Sequence, residues 1–324
     1  MMKRLLNRVV VLDKGYDSFD YEQMLFTDAG YQFEIFPGAR HDQEGKIQFS
    51  KDAVGLLIRW TKINEEFLMT TPQLKAIVRY GVGYDNIDLE AATRFNVKVS
   101  NVQGYANHAV SDHAIAMMYA CARALPRGQQ SLKIVFCTPP IKQIIEFHDK
   151  ILGIIGLGRI GGTLCQKVRP LFKKVLASDP YIPDERFVSL GAVKTGLDDL
   201  LDRSDVISIH CNLTEETTGL IDAEKIRLMR KKPILINTAR GPVINEDDLF
   251  EGLQTEKFHS VGLDVYCDEP PLANRDALLS HPQVIATGHY AWYSTASSVE
   301  LQKRGADNLL MMLQGQIPKD CLNP

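Results

Sequence analysis

The chain has 324 residues, 45% of them hydrophobic and 24% charged, with a formal net charge of -3. At about 150 residues per domain this length argues for two domains, and the lack of a basic excess excludes nucleic-acid binding driven by phosphate neutralisation. No apolar run approaches the roughly 20 residues of a membrane span, and the stretch Val9–Leu12 is too short for a signal-peptide core and suits a first strand.

In chain order, Val9–Leu12, Ala53–Ile58 and Leu74–Val78 predict strands, with Tyr21–Ala29 at helical spacing between the first two and stopping at Gly30. Such alternation argues for an α/β domain with a mainly parallel sheet. A long helix is predicted over Asn107–Leu125, where Val110, Ala114, Met117, Met118, Cys121 and Leu125 recur at helical spacing and Pro126 ends the run. Gly128–Phe147 is less regular, and Pro139-Pro140 rules out a regular element there. A second series then predicts strands at Ile151–Ile155, Val175–Ser178, Val206–His210, Ile234–Asn237, Val261–Val265 and Val284–Thr287. Helical segments at Arg159–Val168, Leu197–Leu201, Ala223–Met229 and Glu246–Leu253 separate most of them. This is the pattern of a doubly wound nucleotide-binding domain. The last segment, Ser294–Leu313, reads as a helix ended by Gly315 that returns to the first domain.

Cys121, Cys137, Cys165, Cys211, Cys267 and Cys321 are scattered and form no C-x-x-C pair. Neither a disulfide framework nor a zinc site is expected, and reduced thiols in a cytoplasmic protein are. No His/Cys/Asp cluster has metal-ligand spacing, so no metal is expected.

Gly156-Leu157-Gly158-Arg159-Ile160-Gly161 follows an apolar strand and opens a helical run. Gly156 permits the tight turn, Gly158 lets a pyrophosphate approach the backbone at a helix N-terminus, and Gly161 lets helix and strand pack closely. Asp179 stands at the end of the next strand, 18 residues beyond Gly161. Its carboxylate can accept from ribose hydroxyls and would repel a 2′-phosphate, and Pro180-Tyr181 offers no adjacent cation, so NAD is expected over NADP.

Three polar residues then follow three strands of the same sheet: Arg240 after Ile234–Asn237, Glu269 after Val261–Val265 and His289 after Val284–Thr287. Taken singly, each has an ordinary reading as a surface ion, a loop acid or a structural histidine. Ligands of parallel sheets bind beyond the carboxyl ends of the strands, so the three are expected to converge beside a nicotinamide. A planar cation for a carboxylate, an imidazole near neutral pKa and an acid to orient it are the parts a carbonyl reduction needs. His281 before Pro282 in a turn, His113 within a helix, and His210, which ends a strand without a paired acid, make poorer candidates.

The segments Ile234–Glu246, Val261–Pro270 and Val78–Asp88 resemble, in order, the signatures of the D-isomer-specific 2-hydroxyacid dehydrogenases. His289-Tyr290-Ala291-Trp292 resembles the C-terminal-binding-protein-like branch, which carries Trp three residues after the catalytic His. The resemblance implies two Rossmann-like, flavodoxin-like doubly wound domains with a cleft between them: residues 1–101 plus 292–324 for substrate and residues 102–291 for NAD. It implies that Arg240 binds substrate carboxylate and carbonyl, that His289 is the acid/base and Glu269 its partner. Thr238, Ala239, Arg240 and Asp264 would position the nicotinamide, backbone N–H groups at Val82 and Gly83 would hold the substrate carboxylate, and Trp292 would wall the pocket. Arg59, at a strand end in Leu57-Ile58-Arg59-Trp60, suits either a further substrate contact or a solvated loop position. A 2-keto or 2-hydroxy acid as small-molecule partner and a homodimer are implied too. The chain departs from the family at Gly288, where Pro is usual, and in a short Gly128–Asp149 linker without the usual Trp. Two other readings stay open: an NAD(H)-sensing co-regulator with little turnover, and a short-form phosphoglycerate dehydrogenase.

Overall fold

In the computed structural model, residues 7–132 and 144–324 are described. Cys137 and Pro139-Pro140 lie outside them. The chain divides into two units, one of described residues up to Tyr105 with Ser294–Pro324, the other of those within Ala106–Tyr293.

The first unit holds a five-stranded sheet: β1 (Arg8–Val11), β2 (Gln32–Ile35), β3 (Ala53–Ile58), β4 (Ala76–Arg79) and β5 (Lys98–Ser100). All pairs are parallel and the order is β2-β1-β3-β4-β5. The central strands are apolar without a break because helices cover both faces, and every residue of β3 is buried. The helix Thr295–Leu313 starts in a capping box made by Ser294 and Ser297. It lies close on this sheet: a methyl group at Gly55 would sit 3.1 Å from Leu313, and one at Gly305 would meet the Tyr80 ring at 2.5 Å.

The second unit holds seven strands: β6 (Ile151–Ile155), β7 (Lys174–Ser178), β8 (Val193–Lys194), β9 (Val206–Ile209), β10 (Ile234–Asn237), β11 (Ser260–Leu263) and β12 (Val284–Ala286). They run parallel in the order β12-β11-β10-β9-β6-β7-β8. The order reverses between β6 and β9, which places a ligand crevice beyond the carboxyl ends of those strands. The two parallel α/β sheets are the expected fold class.

Two details differ from expectation. The helix Asn107–Ala122 stops before Leu125, at Arg123 and a left-handed Ala124 (φ 49°). Pro126 then sits in the first turn of a second helix, Leu125–Ser131, where its missing N–H costs no intrahelical bond. Strands β2, β5 and β8 were not foreseen. Each is a sheet edge of two to four residues carrying polar side chains, so none shows the unbroken apolar run of a central strand.

Candidate active site

The turn after β6 is built as the glycine pattern requires. Gly156 has φ +86°, and a methyl group there would lie 2.6 Å from the backbone nitrogen of Cys211, on the loop after β9. A methyl group at Gly161 would lie 2.1 Å from the Gly156 carbonyl oxygen, so only glycine lets helix Arg159–Val168 approach the turn. Gly158 caps that helix with no side-chain hydrogen bond, and a methyl group on it would meet nothing within 4 Å. The N-terminus therefore faces an open cradle, flanked by exposed Arg159 and half-buried Ile160, with backbone donors and the positive end of the helix dipole. Asp179, after β7, accepts from the N–H groups of Leu157 (2.8 Å) and Tyr181 (3.0 Å). It thus ties the glycine turn to the next strand and keeps lone pairs for further donors.

The loops after β10, β11 and β12 carry the three polar residues. Asn237 fixes the first: its side chain accepts from Ala239 N–H (3.0 Å) and donates to the Arg240 carbonyl (2.9 Å). Arg240 is half-buried and donates from Nη1 to the Ala239 carbonyl at 2.8 Å. Gly241 lets this loop lie against the next one, since a methyl group there would overlap the Tyr266 backbone at 1.9 Å. The Cys267 N–H donates to buried Glu246 at 2.7 Å and the Tyr266 N–H to Glu269 at 3.3 Å, which fix the β11 loop.

His289 Nδ1 lies 2.5 Å from Glu269 Oε2. Burial pushes the Glu269 carboxyl up, but the His289 hydrogen bond and charge, the Tyr266 N–H and the Arg240 charge outweigh it and hold it below its usual value. Glu269 is therefore ionised, and its bond to Nδ1 leaves Nε2 of His289 as the nitrogen available to a reacting group. His289 itself adopts a left-handed backbone (φ 55°), uncommon for a residue with a side chain.

What holds it there was not foreseen in the sequence. The buried Asp264 carboxylate accepts from Thr287 Oγ1 (2.6 Å), Tyr290 N–H (3.1 Å) and Ala291 N–H (2.9 Å), and the Asp264 carbonyl accepts from His289 N–H (2.8 Å). The Thr287 hydroxyl proton goes to Asp264, so His113 Nε2, 3.0 Å away, donates to Thr287. Asp264 is thus engaged with the His289 loop, and the His113–Thr287 pair braces it. Trp292 donates from Nε1 to the His289 carbonyl at 3.1 Å.

Buried Thr238 Oγ1 has no hydrogen-bond partner among the described residues, an expensive arrangement unless a ligand supplies one. With the open Gly158 cradle, it fits a bound dinucleotide. His210 bonds Ser208 Oγ at 2.7 Å and, among the described residues, pairs with no acid. Among the described residues no group of His, Cys, Asp or Glu could hold a metal ion, no helix is long and apolar enough to cross a membrane, and Cys121, Cys165, Cys211, Cys267 and Cys321 are unpaired thiols.

The remaining sequence candidates lie in the first unit. Arg59 follows β3; its backbone N–H donates to Asp13 (2.7 Å) and its guanidinium stacks on Trp60 (4.3 Å to the centroid). Val82 and Gly83 follow β4, and the Val82 carbonyl accepts from Asn101 at 2.6 Å.

Residues 115–291 match the model of the D-isomer specific 2-hydroxyacid dehydrogenase NAD-binding domain. The chain is 35% identical over 287 residues to a D-3-phosphoglycerate dehydrogenase of Methanocaldococcus jannaschii, a match that covers 87% of this chain and 54% of that protein. The chain spans about half the length of the D-3-phosphoglycerate dehydrogenases it matches. It is 31% identical over 282 residues to a glyoxylate reductase of Korarchaeum cryptofilum, covering 86% of this chain and 85% of that one. The structure of a D-lactate dehydrogenase from Aquifex aeolicus, complexed with NAD and lactic acid, superposes with a TM-score of 0.87 at 27% identity, over 98% of this chain and 99% of that one.

Proposed function

The chain belongs to the D-isomer-specific 2-hydroxyacid dehydrogenase family, and from that premise we propose that it interconverts a 2-oxo acid and a D-2-hydroxy acid with NAD(H). The observation that carries this reading is the 2.5 Å His289–Glu269 pair at strand ends of the sheet that bears the glycine turn, in a network that also feels the Arg240 charge.

In this reading Arg240 binds the substrate carboxylate and polarises the carbonyl through its guanidinium fork. His289 Nε2 gives a proton to the developing alkoxide oxygen during reduction and takes it back during oxidation. Ionised Glu269 orients the ring through Nδ1 and favours the imidazolium. Gly156, Gly158, Arg159, Ile160 and Gly161 cradle the pyrophosphate, Asp179 takes the ribose hydroxyls, and Thr238, Ala239 and the Asp264 loop border the nicotinamide. NAD(H), when bound, accepts or supplies the hydride. Val82 and Gly83 N–H groups, Arg59 and Trp292 complete the substrate contacts. A cytoplasmic homodimer belongs to the same proposal and follows from the family resemblance.

The test is NADH oxidation by purified protein against glyoxylate, hydroxypyruvate, pyruvate, longer 2-oxo acids and phosphohydroxypyruvate, with the product's configuration determined. The relatives include both a glyoxylate reductase and D-3-phosphoglycerate dehydrogenases, so the panel spans both substrate sizes. D-configured product from any member supports the proposal. Tight NADH binding without turnover on any of them would move the reading to an NAD(H)-sensing protein of the C-terminal-binding-protein-like branch, which the Trp292 position resembles.

A further inference from the structure

Helix Asn107–Ala122 lies close on β11, where a methyl group at Gly262 would sit 3.3 Å from Met117 Cβ. His113 stands one turn before Met117 on the same face of the helix, so this close approach lets its ring reach the segment after β12. It touches that segment on both sides of His289. His113 Nε2 is 3.0 Å from Thr287 Oγ1, two residues before, and the ring packs edge-on against Tyr290, one residue after, with centroids 5.3 Å apart. The His113 side chain is 17% exposed and that of Asp264 1%, so little water competes for these contacts.

Thr287 is the junction of this segment. Its N–H donates to the Leu263 carbonyl at 2.9 Å, its carbonyl accepts from the Tyr266 hydroxyl at 2.7 Å, and its hydroxyl donates to Asp264 at 2.6 Å. Tyr266 in turn donates its N–H to Glu269, while the Asp264 carbonyl accepts from His289 N–H and its carboxylate from Tyr290 and Ala291 N–H. Both members of the His289–Glu269 pair are therefore connected through Thr287. By donating to a lone pair of Thr287 Oγ1, His113 fixes the hydroxyl rotor with its proton on Asp264; without that donor the hydroxyl is free to turn away. His289 holds a left-handed backbone (φ 55°), a conformation that persists only where its neighbours over-determine it.

We propose that His113 is a positioning residue for the reaction: its Nε2–H, acting through Thr287 and Asp264, holds His289 where Nε2 can give or take the substrate proton. The effect on turnover rests on the dehydrogenase reading, whereas the hold on the His289 segment is measurable without substrate. Misplacing a reacting group by about 1 Å costs about 10²-fold in rate, so removing one donor from a network that otherwise stays in place is expected to cost about tenfold.

Amide hydrogen exchange at Tyr290 and Ala291 and the single-turnover rate of 2-oxo acid reduction are measured in His113→Leu, Thr287→Val and the double variant, with NADH affinity and melting temperature beside them. Each single variant should exchange these amides about tenfold faster and reduce the 2-oxo acid about tenfold more slowly, with NADH affinity kept. The double variant should be no worse than Thr287→Val alone, because the two residues share one path. His113→Gln, whose amide can donate from the place of Nε2, should recover most of both losses. A histidine with a purely structural role would lower the melting temperature and leave the rate of the folded protein unchanged; that result overturns the proposal. So do unchanged exchange in His113→Leu, no recovery in His113→Gln, or losses that multiply in the double variant. If the unmodified protein turns over no 2-oxo acid the dehydrogenase reading falls, and the exchange rates still decide whether His113 holds the His289 segment, so the two fail separately.

Discussion

Replacing Glu269 by Gln keeps the shape of the side chain and an acceptor for His289 Nδ1 but removes the charge. The two side chains are 35% and 34% exposed, so solvent screens the pair in part. Unit charges about 4 Å apart interact by about 4 kcal/mol at an effective dielectric near 20 and by about 1 kcal/mol in water. A third of the surface open to solvent puts this pair near 2 kcal/mol, about 30-fold in rate if the whole of it acts in the transition state. Reduction takes a proton from His289 Nε2 and oxidation puts one there, so both directions use the charged ring that the ionised carboxylate attracts. Glu269→Gln should therefore lower kcat/KM by about tenfold or more in both directions while NADH affinity is kept. The assay is kcat/KM in each direction beside an NADH titration. A loss of less than about threefold in both directions would refute the electrostatic role and leave Glu269 a purely steric one.

Three further outcomes follow from the geometry. Gly161→Ala places a methyl group 2.1 Å from the Gly156 carbonyl oxygen, so the glycine turn must shift; NADH affinity should fall about tenfold or more and stability by about 1–3 kcal/mol, read by fluorescence titration and denaturant melts, and unchanged affinity would count against the cradle. Lys46→Met strands the buried Asp13 carboxylate and should cost about 3–5 kcal/mol in denaturant unfolding, with part recovered by adding Asp13→Asn; a cost below about 1 kcal/mol would mean the pair is not buried as described. Burial pushes His210 down to about 4, so the unfolded chain takes up a proton there before the native state does, and stability should decline as pH falls from about 6.5 towards 4. Asp13 is pushed up by burial but held below its usual 3.8 by Lys46 and backbone N–H groups, so its contribution is lost only at still lower pH. His210→Gln should flatten the first decline, and an identical pH dependence in that variant would discard the assignment.

The central strands and the glycine turn were legible because each depends on neighbouring residues alone: an unbroken apolar run for β3, β6 or β10, and small residues at fixed offsets from Gly156 to Gly161. The edges β2, β5 and β8 were not, since pairing with one neighbour selects no strong pattern. Arg240, Glu269 and His289 could be picked out because each follows a strand of one parallel sheet. The brace behind them could not: it depends on the left-handed backbone of His289, which turns Tyr290 and Ala291 N–H back onto Asp264, and on helix Asn107–Ala122 delivering His113 to Thr287. Pro126 misled because the same residue ends one helix and opens another, and only the left-handed Ala124 decides which.

The central claim is that His289 moves the proton while the glycine turn holds the cofactor independently of it. NADH binding and 2-oxo acid reduction measured side by side in the unmodified protein and in His289→Asn test this most directly. Unaltered NADH affinity with turnover reduced about 10²–10⁴-fold is the predicted result. Turnover retained within a few fold in His289→Asn would contradict the account.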